Sequence, residues 1–221
     1  MTDPLRATYE ALPHRHGAVP DSHPARIGVI ARLFHVPAPP MDHARVLELG
    51  CGEGMNLLPM AERFPGAEFV GVDFSPRQIA TGEAARVECG LKNVRLICAD
   101  LREFDPEAES FDYIIAHGVY SWVPDEVKDR LMELCRRTLR PAGVAYVSYN
   151  VMPGWGLLGG LRRVLLAEVP RNADPEAQAE RIQQVLQGLA QGLAAQPGAY
   201  AALAREHILE MRKKPYDLLL H

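Results

Sequence analysis

Cysteine is scarce in this chain and unpaired in pattern. The four that occur among its 221 residues, Cys51, Cys89, Cys98 and Cys135, are widely spaced and form no CxxC. That excludes a small disulfide scaffold and predicts reduced thiols in a cytoplasmic protein. An excess of positive charge is missing too: 24 Lys and Arg stand against 28 Asp and Glu, for a formal net charge of -4. No broad basic field exists to grip a phosphate backbone, so nucleic acid is not an expected partner. No apolar run approaches the roughly 20 residues that span a bilayer, and Asp3 and Pro4 stand where an export signal needs a basic and then an apolar segment. Neither membrane insertion nor export is expected. The GxSxG elbow, the P-loop and the HExxH pair are absent as well, and His14, His16, His23 and His35 lack metal-ligand spacing, so no metal is expected.

What is present divides the chain in three. Residues 1–44 hold Pro4, Pro13, Pro20, Pro24, Pro37, Pro39 and Pro40, which predicts an irregular arm interrupted by one helix over 24–34, capped by Ser22. From Arg45 short apolar runs alternate with longer helical segments, the pattern of an α/β fold whose parallel sheet is covered by helices and joined by right-handed crossovers. Strands are predicted over 45–49, 68–73, 94–99, 111–117 and 143–149. Ser75, Pro76 and Gln78 fit a capping box for the helix after the second strand, and Gly90 ends it. Beyond Trp155 the spacing is helical over 157–169, 175–193 and 200–211, with Asp174 and Pro175 marking a start. The expected domains are an arm (1–44), a core (45–155) and a helical extension (156–221).

The chemistry is concentrated at strand ends. Glu48-Leu49-Gly50-Cys51-Gly52-Glu53-Gly54 follows the first apolar strand and precedes a helix carrying Leu57, Leu58, Met60 and Ala61. Its glycines let the backbone turn tightly and approach a ligand without an intervening Cβ. Val70-Gly71-Val72-Asp73 places an acid at the end of the second strand, about 20 residues on, where a ribose diol is gripped. Cys98-Ala99-Asp100-Leu101 ends the third with another acid, suited to accept from an adenine amino group. Each has a plainer reading as a tight turn, a helix cap or a surface aspartate. Three such strand ends in consecutive βα units point together to a ligand outside the carboxyl edge of the sheet.

With these segments on view, residues 45–150 resemble the class I S-adenosylmethionine-dependent methyltransferase superfamily. VLELGCGEG, VGVD, CAD and FDYIIAHGV are similar to its nucleotide-loop, ribose, adenine and fourth-strand motifs, in that order. The resemblance implies a Rossmann-like core and S-adenosylmethionine as cofactor. It also implies Glu48, Gly50 and Gly52 at the methionine moiety, Asp73 at the ribose, and Asp100 with Leu101 at the adenine. Cys51, Phe74 and His117 complete the implied cofactor-binding set. Charge agrees with the resemblance: GCGEG lacks the GxGxxG spacing of pyrophosphate binders, and Glu48 and Glu53 repel phosphate but suit a sulfonium cation. A narrower set, His23-Pro24, AHGVYSWVP over 116–124 and SYNVMPGW over 148–155, resembles methyltransferases that carry a regulatory domain, among them bacterial enzymes acting on lysines of outer-membrane proteins. The chain stops soon after Met211, which predicts that this regulatory domain is missing here.

Methyl transfer from a sulfonium is an in-line displacement, so the protein has mainly to align a nucleophile and exclude water. His117, Tyr149 and Asn150 at the ends of the last two strands are the catalytic candidates, with Tyr120, Trp122 and Trp155 near them in sequence. Such rings suit an amine and its cationic product; packing roles are open for each. AHGVY stands where base-methylating enzymes carry Asp/Asn-Pro-Pro-Tyr/Phe. The expected function is methyl transfer to a peptide or protein side chain or to a small-molecule nucleophile. The alternative is a non-catalytic cofactor-binding partner subunit of a larger assembly. Nothing after Trp155 reads as a strand, so in the usual order 3-2-1-4-5 the fifth strand is an edge. Its run Val144-Ala145-Tyr146-Val147-Ser148-Tyr149 is too apolar to leave open, which predicts cover by the helical tail, a second copy or another protein, and so a possible homo- or hetero-oligomer.

Overall fold

The computed structural model describes residues 17–169 and 175–212. Two compact units divide after Tyr149. In the first, five strands, β1 (Arg45–Leu49), β2 (Glu68–Asp73), β3 (Val94–Cys98), β4 (Phe111–Ala116) and β5 (Leu139–Val147), form one sheet in the order β3-β2-β1-β4-β5. Every pairing is parallel. Side chains on a strand alternate between faces, and here both faces are covered. Val46, Phe69, Tyr113 and Ile115 enter one apolar cluster, while Leu47, Leu49, Val72 and Ile114 enter the other. That double burial is why β1, β2 and β4 read as largely apolar runs, interrupted by Glu48 and Asp112.

Helices α1 (Pro24–Leu33), α2 (Leu57–Arg63), α3 (Pro76–Glu88) and α4 (Asp125–Thr138) complete this unit. Ile27 of α1 and Leu57 of α2 join the first cluster, and Leu131 and Leu134 of α4 the second. Both α4 leucines are fully buried, so truncating either to alanine costs about 2–5 kcal/mol. The second unit holds α5 (Gly154–Glu168), α6 (Pro175–Ala194) and α7 (Ala199–Met211). These helices share a core of their own around Leu165, Ile182, Leu186 and Ile208, and Arg181 reaches Glu168 at 2.6 Å. Asp174, the expected start of α6, lies outside the described residues.

The differences from expectation are local. Ser22 does not cap α1: it is buried in a 3-10 turn, Pro20–Ser22, with its Oγ donating to the Val19 carbonyl. The cap falls to His23, whose Nδ1 accepts from the Ala25 N–H at 3.1 Å. Ser75 caps α3 as expected, Oγ accepting from the Gln78 N–H, but Gln78 does not complete the box because Asp73 Oδ1 takes the Ser75 N–H at 2.9 Å. β3 and β4 each stop one residue earlier than expected, leaving Ala99 and His117 beyond them. β5 begins four residues early. Arg140-Pro141-Ala142-Gly143 reads as a turn, yet an outer strand tolerates a proline and a bulge, and here Ala142 takes φ 66 while the register slips between Phe111 and Tyr113.

Candidate active site

The register of the sheet assembles the site. Glu48 pairs with Gly71 and Leu49 with Val72, which sets the loop after β1 beside the end of β2. The Val72 carbonyl then accepts from both the Gly50 and Cys51 N–H groups, at 2.8 and 3.1 Å. Gly50 and Gly52 adopt φ 76 and 54, a region that other residues enter only at a cost. Space is equally restrictive. A Cβ on Gly50 would collide with Val119 Cγ2, and one on Gly52 would fall 2.6 Å from Gln78 Oε1.

Three acids were expected to bind ligand, and the structure treats them differently. Asp73 is 3% exposed; Oδ2 accepts from the Gly52 N–H at 2.9 Å and Oδ1 from the Ser75 N–H at 2.9 Å. It therefore ties the glycine loop to the start of α3, and with the Phe74 N–H as a third backbone donor the carboxylate keeps a lone pair for another donor. Burial raises its pKa, against the pull of those backbone bonds. Glu48 is 4% exposed. Its Oε1 accepts from Asn56 Nδ2 at 2.8 Å, whereas Oε2 is buried with no partner among the described residues. Burial pushes its pKa up to about 8, opposed by the Asn56 bond and reinforced by Asp73. Asp100 instead joins a surface ion network: Arg102 Nη2 meets its Oδ2 at 2.6 Å and Arg102 Nη1 meets Glu126 at 3.0 Å. Leu101 packs into the second apolar cluster.

A pocket gathers Glu48, Gly50, Cys51, Gly52 and His117. Four further residues line it, namely Val19, Glu53, Met55 and Asn56. Asp73, Phe74, Asp100, Leu101 and Tyr149 are not on that wall, and Asn150 falls in the second unit. The Cys51 thiol is buried and held well above its ordinary pKa by burial, then by Asp73 and Glu48, so it is no thiolate nucleophile. His117 stands one residue past β4 with Nδ1 buried and unpartnered among the described residues. Burial lowers its pKa, against the charge of Asp21, so the ring is neutral near pH 7. It stacks on Tyr146, centroids 6.1 Å apart and planes 20° apart. Nearby in sequence, Tyr120 and Tyr149 pair at 5.9 Å and 59°, and Tyr149 is 61% exposed. A bond from the Gly118 N–H to Ser148 Oγ, 2.9 Å, ties the two strand ends together.

Asn56, Gln78 and Tyr146 were not among the expected residues. Gln78 is 1% exposed with neither amide atom partnered among the described residues, beneath Gly52. Buried orphan amide, carboxylate and imidazole atoms around one loop mark where a polar ligand sits. Among the described residues no group of three His, Cys, Asp or Glu is placed to hold a metal.

Residues 46–143 match the family described as a methyltransferase domain. They form a class I methyltransferase domain. Its cofactor is S-adenosylmethionine. The chain is similar to protein RP028 of Rickettsia prowazekii, 37% identical over 161 residues, covering 73% of this chain and 64% of the relative. Over 100 residues it is 38% identical to a trans-aconitate 2-methyltransferase of Streptomyces avermitilis, which covers 45% of this chain and 36% of the relative. Among solved structures, PKMT2 from Rickettsia typhi in complex with AdoHcy matches with TM-score 0.83 and 31% identity, over 95% of this chain and 40% of that one. The chain thus spans less than two thirds of each of these relatives. No helix among the described residues is long and apolar enough to cross a membrane.

Proposed function

We propose that this chain transfers a methyl group from S-adenosylmethionine to an amine on a peptide, a protein side chain or a small molecule. The observation that carries the reading is Glu48 Oε2, a buried carboxylate oxygen without a partner among the described residues, beside a loop whose glycines leave no room for a Cβ. Desolvating an acceptor and leaving it unpaired is costly unless a ligand donor meets it. An ammonium group meets that need, and a phosphate does not. The donor set fits the cofactor: Glu48, Gly50 and Gly52 would hold its amino-acid end, Asp73 and Gln78 its ribose, and His117 would flank the reacting end. When bound, S-adenosylmethionine supplies an electrophilic methyl on a sulfonium.

The residues of this chain then do two things. They hold the acceptor in line and they exclude water. His117, kept neutral by burial, offers an acceptor nitrogen to an amine N–H and imposes no positive charge on the incoming nucleophile. The faces of Tyr146, Tyr120 and Tyr149 stabilise the alkylammonium product, which sheds its extra proton to water. The trans-aconitate methyltransferase bears a name that points to an anionic acceptor. Here Arg26, which acts on Tyr146, is held by Asp21 at 2.7 Å, and Lys128, which acts on Tyr120, is held by Asp125 at 2.8 Å, and that favours an amine over a carboxylate. Likeness to PKMT2, and the segments shared with the regulatory-domain methyltransferases, support a protein side chain as the acceptor. Labelled S-adenosylmethionine incubated with the protein and a lysate of its source cells tests this. Label that stays on protein after mild base treatment is expected. Base-labile label would mark a methyl ester and sink the amine; binding without transfer would favour the partner-subunit reading.

A further inference from the structure

Asn56 makes three hydrogen bonds that lead to two different places. Its Oδ1 accepts from the Val19 N–H at 2.9 Å. Its Nδ2 donates to Ser22 Oγ at 3.0 Å and to Glu48 Oε1 at 2.8 Å. The side chain is buried, and a flipped amide would set its NH2 against the Val19 N–H and its oxygen against Glu48, so its orientation is fixed. On one side lies the 3-10 turn Pro20–Ser22, closed by the Ser22 N–H bond to the Val19 carbonyl. That turn carries Asp21, whose charge reaches both His117 and Tyr146. On the other side lies Glu48, a residue of the pocket wall whose second oxygen is buried and unpaired among the described residues.

We propose that Asn56 is a positioning residue that makes the acceptor site conditional on the cofactor. A cation held at Glu48 Oε2 keeps the carboxylate ionised, and an ionised acceptor strengthens the bond from Asn56 Nδ2. The anchored amide then fixes the turn through Val19 and Ser22. The fixed turn holds the Asp21–Arg26 ion pair where the Asp21 charge acts on His117, and an amine acceptor shares that carboxylate with Arg26. Cofactor therefore tightens the acceptor, and by linkage an acceptor bound at Asp21 tightens the cofactor by the same factor. This rests on the reading that the pocket takes S-adenosylmethionine.

The probe is S-adenosylhomocysteine, whose ammonium group supplies the cation. Calorimetry measures its binding, and hydrogen exchange of the Val19 and Ser22 amides in the full chain reads the turn. In the wild type, binding is expected to slow that exchange by roughly tenfold, the scale of one polar contact. In Asn56→Ala the ligand still binds, within about tenfold of the wild type, but the slowing disappears. Ser22→Ala spares the pocket and removes one of the two arm bonds, so it must lessen the slowing even if Asn56→Ala does not fold. Equal slowing in the wild type and the variants, or none in a wild type that binds the probe, overturns the latch. A wild type that binds no probe overturns the cofactor reading, and the latch with it.

Discussion

The carboxyl ends of β1 and β2 and those of β4 and β5 sit on one sheet and are built by opposite means. At the first pair, backbone does the work: Val72 O, Asp73 and the loop N–H groups interlock, and Glu48, Asp73 and Gln78 are nearly sealed from water. At the second pair, rings lean on rings, with Tyr149 mostly exposed and His117 half-buried. A rigid frame suits a ligand that never changes. A wall of side chains can be altered one residue at a time without disturbing the frame, which suits an acceptor that differs between related proteins.

The sharpest way to break that contrast is a methyl group at the frame. Gly50→Ala must adopt φ 76 and meet Val119, so a loss of about 2–4 kcal/mol is expected in both stability and cofactor affinity. Thermal unfolding with and without S-adenosylhomocysteine measures both. Asp73→Ala comes next. Because it frees the Gly52 and Ser75 N–H groups, it should cost about 2–3 kcal/mol of stability as well as cofactor affinity. A variant that loses affinity with an unchanged melting temperature would show that Asp73 serves the ligand alone.

Acidity separates the two ends more gently. The folded-state pKa of Glu48 is raised to about 8 from an ordinary 4.5. Its contribution to the stability of the ligand-free protein is therefore fully present below about pH 4.5 and is lost as pH rises toward 8. Binding a cation needs the ionised form, so cofactor affinity should climb by up to tenfold per pH unit until about pH 8 and then level off. Glu48→Gln should flatten both profiles in melting and calorimetric titrations. At the ring end, His117→Ala should lower turnover by about tenfold while leaving cofactor affinity within a few-fold. Tyr149→Phe keeps its contact with Tyr120 and loses a solvent-facing hydroxyl, so a change of about threefold or less is expected in the same assay. Equal losses from both variants would show that the exposed tyrosine touches the acceptor.

The frame was legible in the residues because its parts serve few other purposes in a chain. Glycines at positive φ, an acid closing an apolar strand and runs such as Val46 to Leu49 each fit a narrow range of local structures. β5 was harder to delimit, since Pro141 and Gly143 signal a turn unless the strand is known to lie at the sheet's edge. Asn56 and Gln78 were illegible for another reason: a polar residue near a helix start looks the same whether it caps the helix or holds a neighbour. Gln78 even fits a capping box that Asp73 pre-empts. Tyr146 passed as one more apolar strand residue. Its ring partner comes from beyond a different strand, a contact that exists only once β4 and β5 are paired.

The irregular start of β5 carries a consequence for any chain that adds to the sheet. Pro141 has no N–H to offer, and the turn of backbone at Ala142 bends that stretch out of line. An incoming strand finds regular backbone from Val144 to Val147, four residues that end next to Ser148 and Tyr149. Along this edge the sheet is thus extensible at one place, and that place borders the proposed acceptor rings. A neighbour recruited there would be felt first by the chemistry and last by the fold.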